Sequence, residues 1–196
     1  MTRKPTEIRK VEIKQAILKI ISKEGIKSIS TKNVAKYTGL SEGAIFRHFK
    51  TKKDIIISII DDVTTDMIGD LKKITNSKLA PNKKLFKFLC SNITYLTEHK
   101  GITILLFTEA SHSDDKEMMT KLNHIFNSQR ELVGTIIKEG IDMGIWDKDI
   151  SIEDITQLYM GIPITYNINL VFSNNKAKHQ NFCLKMMNLL ERILYV

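Results

Sequence analysis

Apolar residues recur along this chain with the period of a helix almost from end to end. Between Thr6 and Glu24, Ile13, Ile17, Ile20 and Ile21 fall at i, i+4, i+7 and i+8, a single stripe. Pro5 precedes that segment, where its missing N–H costs nothing, and Gly25 follows it, where a left-handed C-terminal residue is expected. Ser30 or Thr31 opens a short second helix, with Val34, Ala35 and the Tyr37 ring turned inward. Thr38-Gly39-Leu40 reads as a tight turn, and Ser41 caps a third helix, SEGAIFRHF. Thr51 with Asp54 three residues later is a carboxylate form of the capping box, predicting a long helix to about residue 76.

The same period continues through the rest of the chain. Helices are predicted over Pro81 to Lys100, Ile102 to about Ser111 and Asp114 to about Met143. Two more run from Ser151 to about Ser173, with a kink at Pro163, and from Lys176 to about Tyr195. Only three prolines occur, no Asn-Gly or Asp-Gly marks a hairpin, and no alternating run competes with helix. The predicted fold is all-α with about nine helices.

Charge is distributed unevenly over this pattern. Residues 1–53 carry 14 Lys and Arg against 4 Asp and Glu, whereas the rest of the chain carries 16 against 18. A basic segment on a near-neutral body points to a polyanionic partner. A membrane surface suits it poorly, because Glu7, Glu12 and Glu24 interrupt the polar face of the first helix. No apolar run approaches the roughly 18–20 residues that span a bilayer, and the basic start does not lead into a signal-peptide core. Cys90 and Cys183 stand far apart without a CxxC, which argues against a disulfide framework and fits a cytoplasmic protein.

Residues 30–53, STKNVAKYTGLSEGAIFRHFKTKK, carry the informative constellation. Two short helices flank a turn at Gly39, the layout of a helix-turn-helix. Val34, Ala35, Leu40, Ile45 and Phe49 supply a small shared core. The second of the two helices then presents Ser41, Glu42, Gly43, Ala44, Phe46, Arg47 and His48 outward. Its N-terminal N–H groups suit a phosphate, and the small residues Gly43 and Ala44 permit close approach to a groove.

This segment resembles the DNA-binding domain of the tetracycline-repressor (TetR) family. The resemblance rests on Thr31, Val34-Ala35, Thr38-Gly39-Leu40-Ser41, Ala44-Ile45-Phe46-Arg47-His48-Phe49 and Lys52, within about residues 8–60. It implies a dimeric transcriptional regulator whose third helix reads the major groove. By position, Thr31, Ser41, His48 and Lys52 are then expected at phosphates, and Glu42, Gly43, Ala44 and Arg47 at bases or adjacent backbone. Phe46 stands where the family usually has a Tyr whose hydroxyl touches a phosphate, and is expected to pack on a sugar or a thymine methyl. The implied domains are a DNA-binding segment at 1–53, extending into the next helix, and a ligand-binding and dimerisation body at 54–196.

In the body, two apolar stripes suit a four-helix seam between subunits: Ile155, Leu158, Tyr159, Ile162 and Leu170, then Phe182, Met186, Leu189, Leu190 and Ile193. A purely intramolecular core is the competing reading; the family resemblance favours the homodimer. Met67, Phe88, Leu89, Phe107, Phe126, Met160 and Tyr166 are candidates for lining a pocket. Few charges fall on these stripes, so the expected effector is hydrophobic, acyl-chain-like or a flat aromatic. Glu109, His112, Asp114 and Asp115 have metal-ligand chemistry but read better as capping acids in a loop. No cofactor or metal is expected. No HExxH, P-loop, GxSxG or GxGxxG occurs, and five scattered histidines suggest no catalytic cluster.

The reading is a ligand-responsive repressor that binds a palindromic operator as a homodimer and is released by a small hydrophobic effector. Two alternatives stand beside it: an effector-independent architectural or partner-binding DNA protein, and an enzyme or carrier body in which the helix-turn-helix is only packing.

Overall fold

In the computed structural model, α1 (Thr6–Glu24) forms where the isoleucine stripe predicts it, with Pro5 as its N-cap. Ile13, Ile17, Ile20 and Ile21 are all but fully buried. Each contributes about 1.5–3 kcal/mol of transfer free energy. The structure describes residues 5–112, 114–172 and 179–195. Gly25 ends α1 with φ 84° and ψ 164°, so its φ is positive, but its backbone is extended rather than left-handed helical as expected. A short 3-10 turn, Ile26–Ser28, follows and leads to α2 (Thr31–Thr38).

Ser30, not Thr31, caps α2, accepting a hydrogen bond from Asn33 N at 3.1 Å. Gly39 ends α2 in the left-handed conformation (φ 68°, ψ 19°), which a side chain would strain. Ser41 caps α3 (Glu42–His48), accepting from Ala44 N at 3.2 Å. At α4 (Lys52–Asp62) both halves of the capping box form: Thr51 N donates to Asp54 Oδ2 at 3.0 Å, and Asp54 N to Thr51 Oγ1 at 3.1 Å.

The single helix expected from Thr51 to residue 76 is interrupted. Residues Val63–Ile68 adopt a π-helical turn before α5 (Gly69–Thr75) resumes. Then come α6 (Pro81–Glu98), α7 (Ile102–His112), α8 (Lys116–Asp142), α9 (Ile152–Phe172) and α10 (His179–Leu194). Counting α4 and α5 as one interrupted helix, there are nine α-helices among the described residues, and no strand. α9 continues through Pro163, whose carbonyl accepts a 2.9 Å hydrogen bond from Asn167 Nδ2. The expected end of α9 at Ser173 and start of α10 at Lys176 lie outside the described residues.

The chain divides into two compact units, Met1–Val63 with His99–Leu122, and Thr64–Glu98 with Asn123–Val196. The first thus holds the segment expected to bind DNA together with the rest of α4, α7 and the start of α8. Within it, α1 is the hub, packing on α2, α3, α4 and α7. A Cβ on Gly101, just before α7, would lie 2.5 Å from the carbonyl of Leu18, so only glycine allows this approach. Ion pairs tie α4 down: Lys14 to Asp62 at 2.8 Å and Lys121 to Asp61 at 2.6 Å. In the second unit α6 is the hub for α5, α9 and α10. Tyr159, fully buried, donates its hydroxyl to the Leu85 carbonyl at 2.5 Å, and its ring meets Phe88 edge-on.

Candidate nucleic-acid interface

The helix-turn-helix is assembled from residues close in sequence, and its local chemistry explains its rigidity. Val34, Ile45 and Phe49 are buried against α1, while Ala35 and Leu40 are half-buried at the turn. Thr38 donates its hydroxyl to the Val34 carbonyl at 2.8 Å, holding the last turn of α2. Glu24, at the end of α1, accepts from Tyr37 Oη at 2.6 Å and from Asn33 Nδ2 at 2.8 Å. These two donors hold the Glu24 carboxyl below its ordinary pKa, and the same hydrogen bond raises the Tyr37 phenol. Tyr37 is therefore half-buried and works as a strut rather than as core, with the Lys19 ammonium over its ring.

Most of the residues expected at DNA are exposed. Ser41, Glu42, Gly43, Phe46 and Arg47 are exposed on α3, and Lys52 is exposed on the first turn of α4. Thr31, Ala44 and His48 are half-buried. Nothing lies within 4 Å of a Cβ added to Gly43, so its bareness serves no packing purpose inside this chain. Phe46 is 50% exposed, a large apolar side chain among exposed polar neighbours in sequence. His48 Nδ1 is buried and has no hydrogen-bond partner among the described residues. A cleft of about 40 Å³ is lined by Thr31, Ile45, Phe46, Thr51 and Lys52 among others, too small for more than a water.

Two arrangements here escape a reading of the sequence. Thr31 Oγ1 donates to Glu42 Oε2 at 2.6 Å, linking α2 to α3 across the turn. Lys53 pairs with Asp115 and, at 3.5 Å, with Glu117, so the start of α4 is bound to the start of α8. That pairing lowers the Asp115 carboxyl and raises the Lys53 ammonium. Asp115 also caps α8 by accepting from Met118 N at 3.1 Å. The partners of Lys53 lie some sixty positions away, so no short-range spacing announces them. Of the other metal candidates, the His112 side chain lies outside the described residues, and no cluster of three or more metal-binding side chains occurs among the described ones.

The residues expected around an effector are spread over both units. Met67, Phe88, Leu89, Met160 and Tyr166 are buried in the second unit, where Phe126 is partly exposed; Phe107, in the first, is half exposed. An open groove of about 420 Å³ between α8 and α9 is lined by Asn127, Arg130, Glu131, Gly134, Ile152, Glu153 and Thr156, none of them among the expected residues.

The two stripes of α9 and α10 split by burial. Ile155, Tyr159, Leu170 and Leu190 turn into the core of their own unit. Leu158, Leu189 and Ile193 are 49%, 51% and 44% exposed, and Ile162, Phe182 and Met186 are half-buried beside them.

A family model described as "Bacterial regulatory proteins, tetR family" matches residues 13–59, and one described as "YsiA-like protein, C-terminal region" matches residues 60–192. The fatty acid metabolism regulator protein of Bacillus subtilis (strain 168) is 23% identical over 151 residues, 77% of either chain. The fatty acid degradation regulator FadR from Bacillus halodurans has the same fold, with a TM-score of 0.79 over 97% of both chains at 19% identity. FadR from Bacillus subtilis in complex with stearoyl-CoA gives 0.72 at 21% identity, over 94% of this chain and 96% of that one.

Proposed function

The chain belongs to the tetR family of bacterial regulatory proteins, and on that premise we propose how its residues carry out the work of a ligand-responsive transcriptional regulator. It binds operator DNA as a homodimer and answers a small molecule. The observation that supports the residue assignment is the exposure of Ser41, Glu42, Gly43, Phe46 and Arg47 along α3 and its cap, and of Lys52 on the first turn of α4.

In this reading α3 enters the major groove with Gly43 and Ala44 against the base edges. Arg47 reads a guanine or its neighbouring backbone, and Phe46 packs on a thymine methyl or a sugar. Thr31, Ser41, His48 and Lys52 hold phosphates on either side, Thr31 by turning its hydroxyl from Glu42 to the backbone of the DNA. The exposed side of α9 and α10, with Leu158, Ile162, Phe182, Met186, Leu189 and Ile193, meets the same face of a second copy. The pair then presents its two α3 helices about 34–36 Å apart, one turn of DNA.

The effector is a long acyl chain, carried as its coenzyme A thioester. Supporting this are the apolar helices of the second unit, the match of residues 60–192 to the YsiA-like C-terminal region, and the fatty-acid regulators among the similar proteins. The protein binds the thioester and lets it go unchanged, working in the cytoplasm as a repressor without catalysis. Release follows when the acylated form prefers another packing. The interrupted helix that starts at Lys52 and passes through the π-helical turn at Val63–Ile68 carries the change toward α3. Coupling of about 1–3 kcal/mol weakens operator binding 5–150-fold.

The test is selection of genomic DNA fragments by the purified protein, followed by titration of the complex with stearoyl-CoA and with free coenzyme A. Stearoyl-CoA releases the operator and coenzyme A does not. A protein that selects no DNA at low salt overturns the interface, and one that holds its operator in saturating acyl-CoA overturns the effector class.

A further inference from the structure

Residues 1–53 hold four acids, Glu7, Glu12, Glu24 and Glu42, among 14 lysines and arginines. Glu7 pairs with Lys10 and Glu12 with Arg9, while Glu24 accepts from Tyr37 and Asn33. Glu42 is used differently. It is exposed on α3, and no lysine or arginine among the described residues pairs with it. The one partner of its carboxylate among them is the neutral hydroxyl of Thr31, which donates to Oε2 at 2.6 Å and leaves Oε1 open. Beside it the backbone is bare, since a Cβ on Gly43 would meet nothing within 4 Å. An unpaired carboxylate weakens any contact with phosphates, so its place on this helix calls for a different partner.

We propose that Glu42 is a specificity-determining residue that admits cytosine, through its exocyclic amino group, at one position in each half of the operator. The proposal rests on the DNA-binding reading above. An ionised carboxylate can only accept hydrogen bonds. In the major groove guanine presents the acceptors O6 and N7, and thymine presents O4 and a methyl group. Adenine sets its N6 donor beside the N7 acceptor, which repels the second carboxylate oxygen. Cytosine alone offers a donor, N4–H, with no acceptor on the same base edge. As the Thr31 hydroxyl turns to a phosphate, the carboxylate it held passes to that amino group, so each loses one hydrogen bond and gains one.

The selection works by exclusion as much as by attraction. Against guanine, thymine or the N7 of adenine, the carboxylate loses water and receives no donor in return, and a charged group left unpaired costs more than a neutral one. Repulsion of phosphates, by contrast, carries no sequence information. The two effects of this charge therefore separate in the sequence preference. Glu42→Gln keeps the length of the side chain and an acceptor for Thr31, and adds a donor. Its amide matches the N6 and N7 atoms of adenine, so the preferred base at that position changes from cytosine to adenine.

In the experiment, the full chain, as wild type, Glu42→Gln and Glu42→Ala, selects from a randomised duplex library, and the selected pools are sequenced. Wild type is expected to fix a cytosine at one symmetric position of each half-site. Glu42→Gln selects adenine there and keeps every other position, and Glu42→Ala, with neither donor nor acceptor, loses the preference at that position alone. Replacing the cytosine by thymine weakens wild type roughly 5–150-fold per half-site and Glu42→Ala far less. Variants that select the same sequences as wild type overturn the proposal, even if their affinity rises. So does a wild-type pool with no fixed cytosine. Chains that select no sequence at all overturn the DNA-binding interface and this assignment with it.

Discussion

The hydroxyl of Thr31 donates a 2.6 Å hydrogen bond to the carboxylate of Glu42, joining the first turn of α2 to the first turn of α3. Both residues belong to the proposed DNA surface. The carboxylate favours the positive end of the α3 dipole, but it also places a negative charge where phosphates are to bind. Thr31 keeps it in place and is itself occupied. Glu42→Gln keeps an acceptor for Thr31 and removes only the charge. Its affinity for random-sequence duplex should rise several-fold at low salt, and the gain should fade as salt screens the charge. Fluorescence anisotropy across a salt series checks this; an unchanged affinity at low salt would place Glu42 away from the backbone.

Lys52 and Arg47 are both exposed but carry different expectations. Lys52→Ala should weaken operator and random DNA alike and lower the log–log salt slope by about 0.9. Arg47→Ala should cost about 1–3 kcal/mol on operator and much less on random sequence, relaxing the preference at one base pair. Anisotropy on operator variants separates the two. An Arg47→Ala dimer with wild-type operator affinity would sink that residue's assignment.

Glycines at three positions give a graded test of packing against function. A Cβ on Gly140 would lie 2.1 Å from the Trp146 ring, so Gly140→Ala should destabilise by about 1–3 kcal/mol or more as the indole is displaced. On Gly134 it would meet only ordinary contacts at 3.7 Å, and Gly134→Ala should melt close to wild type. On Gly43 it would meet nothing, so Gly43→Ala should keep or slightly raise the melting temperature through helix propensity. The same change should weaken operator binding if this residue faces the base edges. Calorimetry and anisotropy on the three variants are sufficient.

Glu24 predicts a pH signature for the first unit. Hydrogen bonds from Tyr37 and Asn33 lower its pKa from the ordinary 4.5. A depressed carboxyl contributes stability above its unfolded value, and that stability is lost as the pH falls through the folded value. Wild type should therefore melt above Glu24→Gln at neutral pH, and the two curves should converge as the pH falls through the lowered Glu24 value. A gap that persists unchanged into acid would show that the carboxylate charge contributes nothing.

The exposed side of α9 and α10 gives the assembly test. Leu189 is 51% exposed in the single chain, so Leu189→Glu should leave the subunit folded. Placed at the proposed seam, the charge should instead abolish dimer formation and, with it, high-affinity operator binding. Light scattering and circular dichroism read the two effects separately; a Leu189→Glu protein that remains a folded dimer would move the seam elsewhere.

Much of this protein follows from its sequence by itself. Caps and turns are local chemistry, so Ser41, Thr51 with Asp54, and Gly39 declare α3, α4 and the turn between α2 and α3 without reference to the rest of the chain. The 3.6-residue period of the isoleucines declares the buried face of α1, and the concentration of lysine and arginine in the first quarter declares a polyanionic partner. Tertiary structure decided what depends on distant neighbours. Burial separated Tyr159 and Leu190, in the core, from Leu158 and Leu189, which share their stripes but face outward. Periodicity identifies an apolar face without saying whether its other half comes from the same chain. The π-helical turn at Val63–Ile68 interrupts a run whose side chains read as continuous helix. The Thr31–Glu42 link and the Lys53–Asp115 pair join residues separated by a turn or by several helices. Only the packing of helices sets such distances, because sequence spacing constrains side-chain contacts over a turn or two and no further.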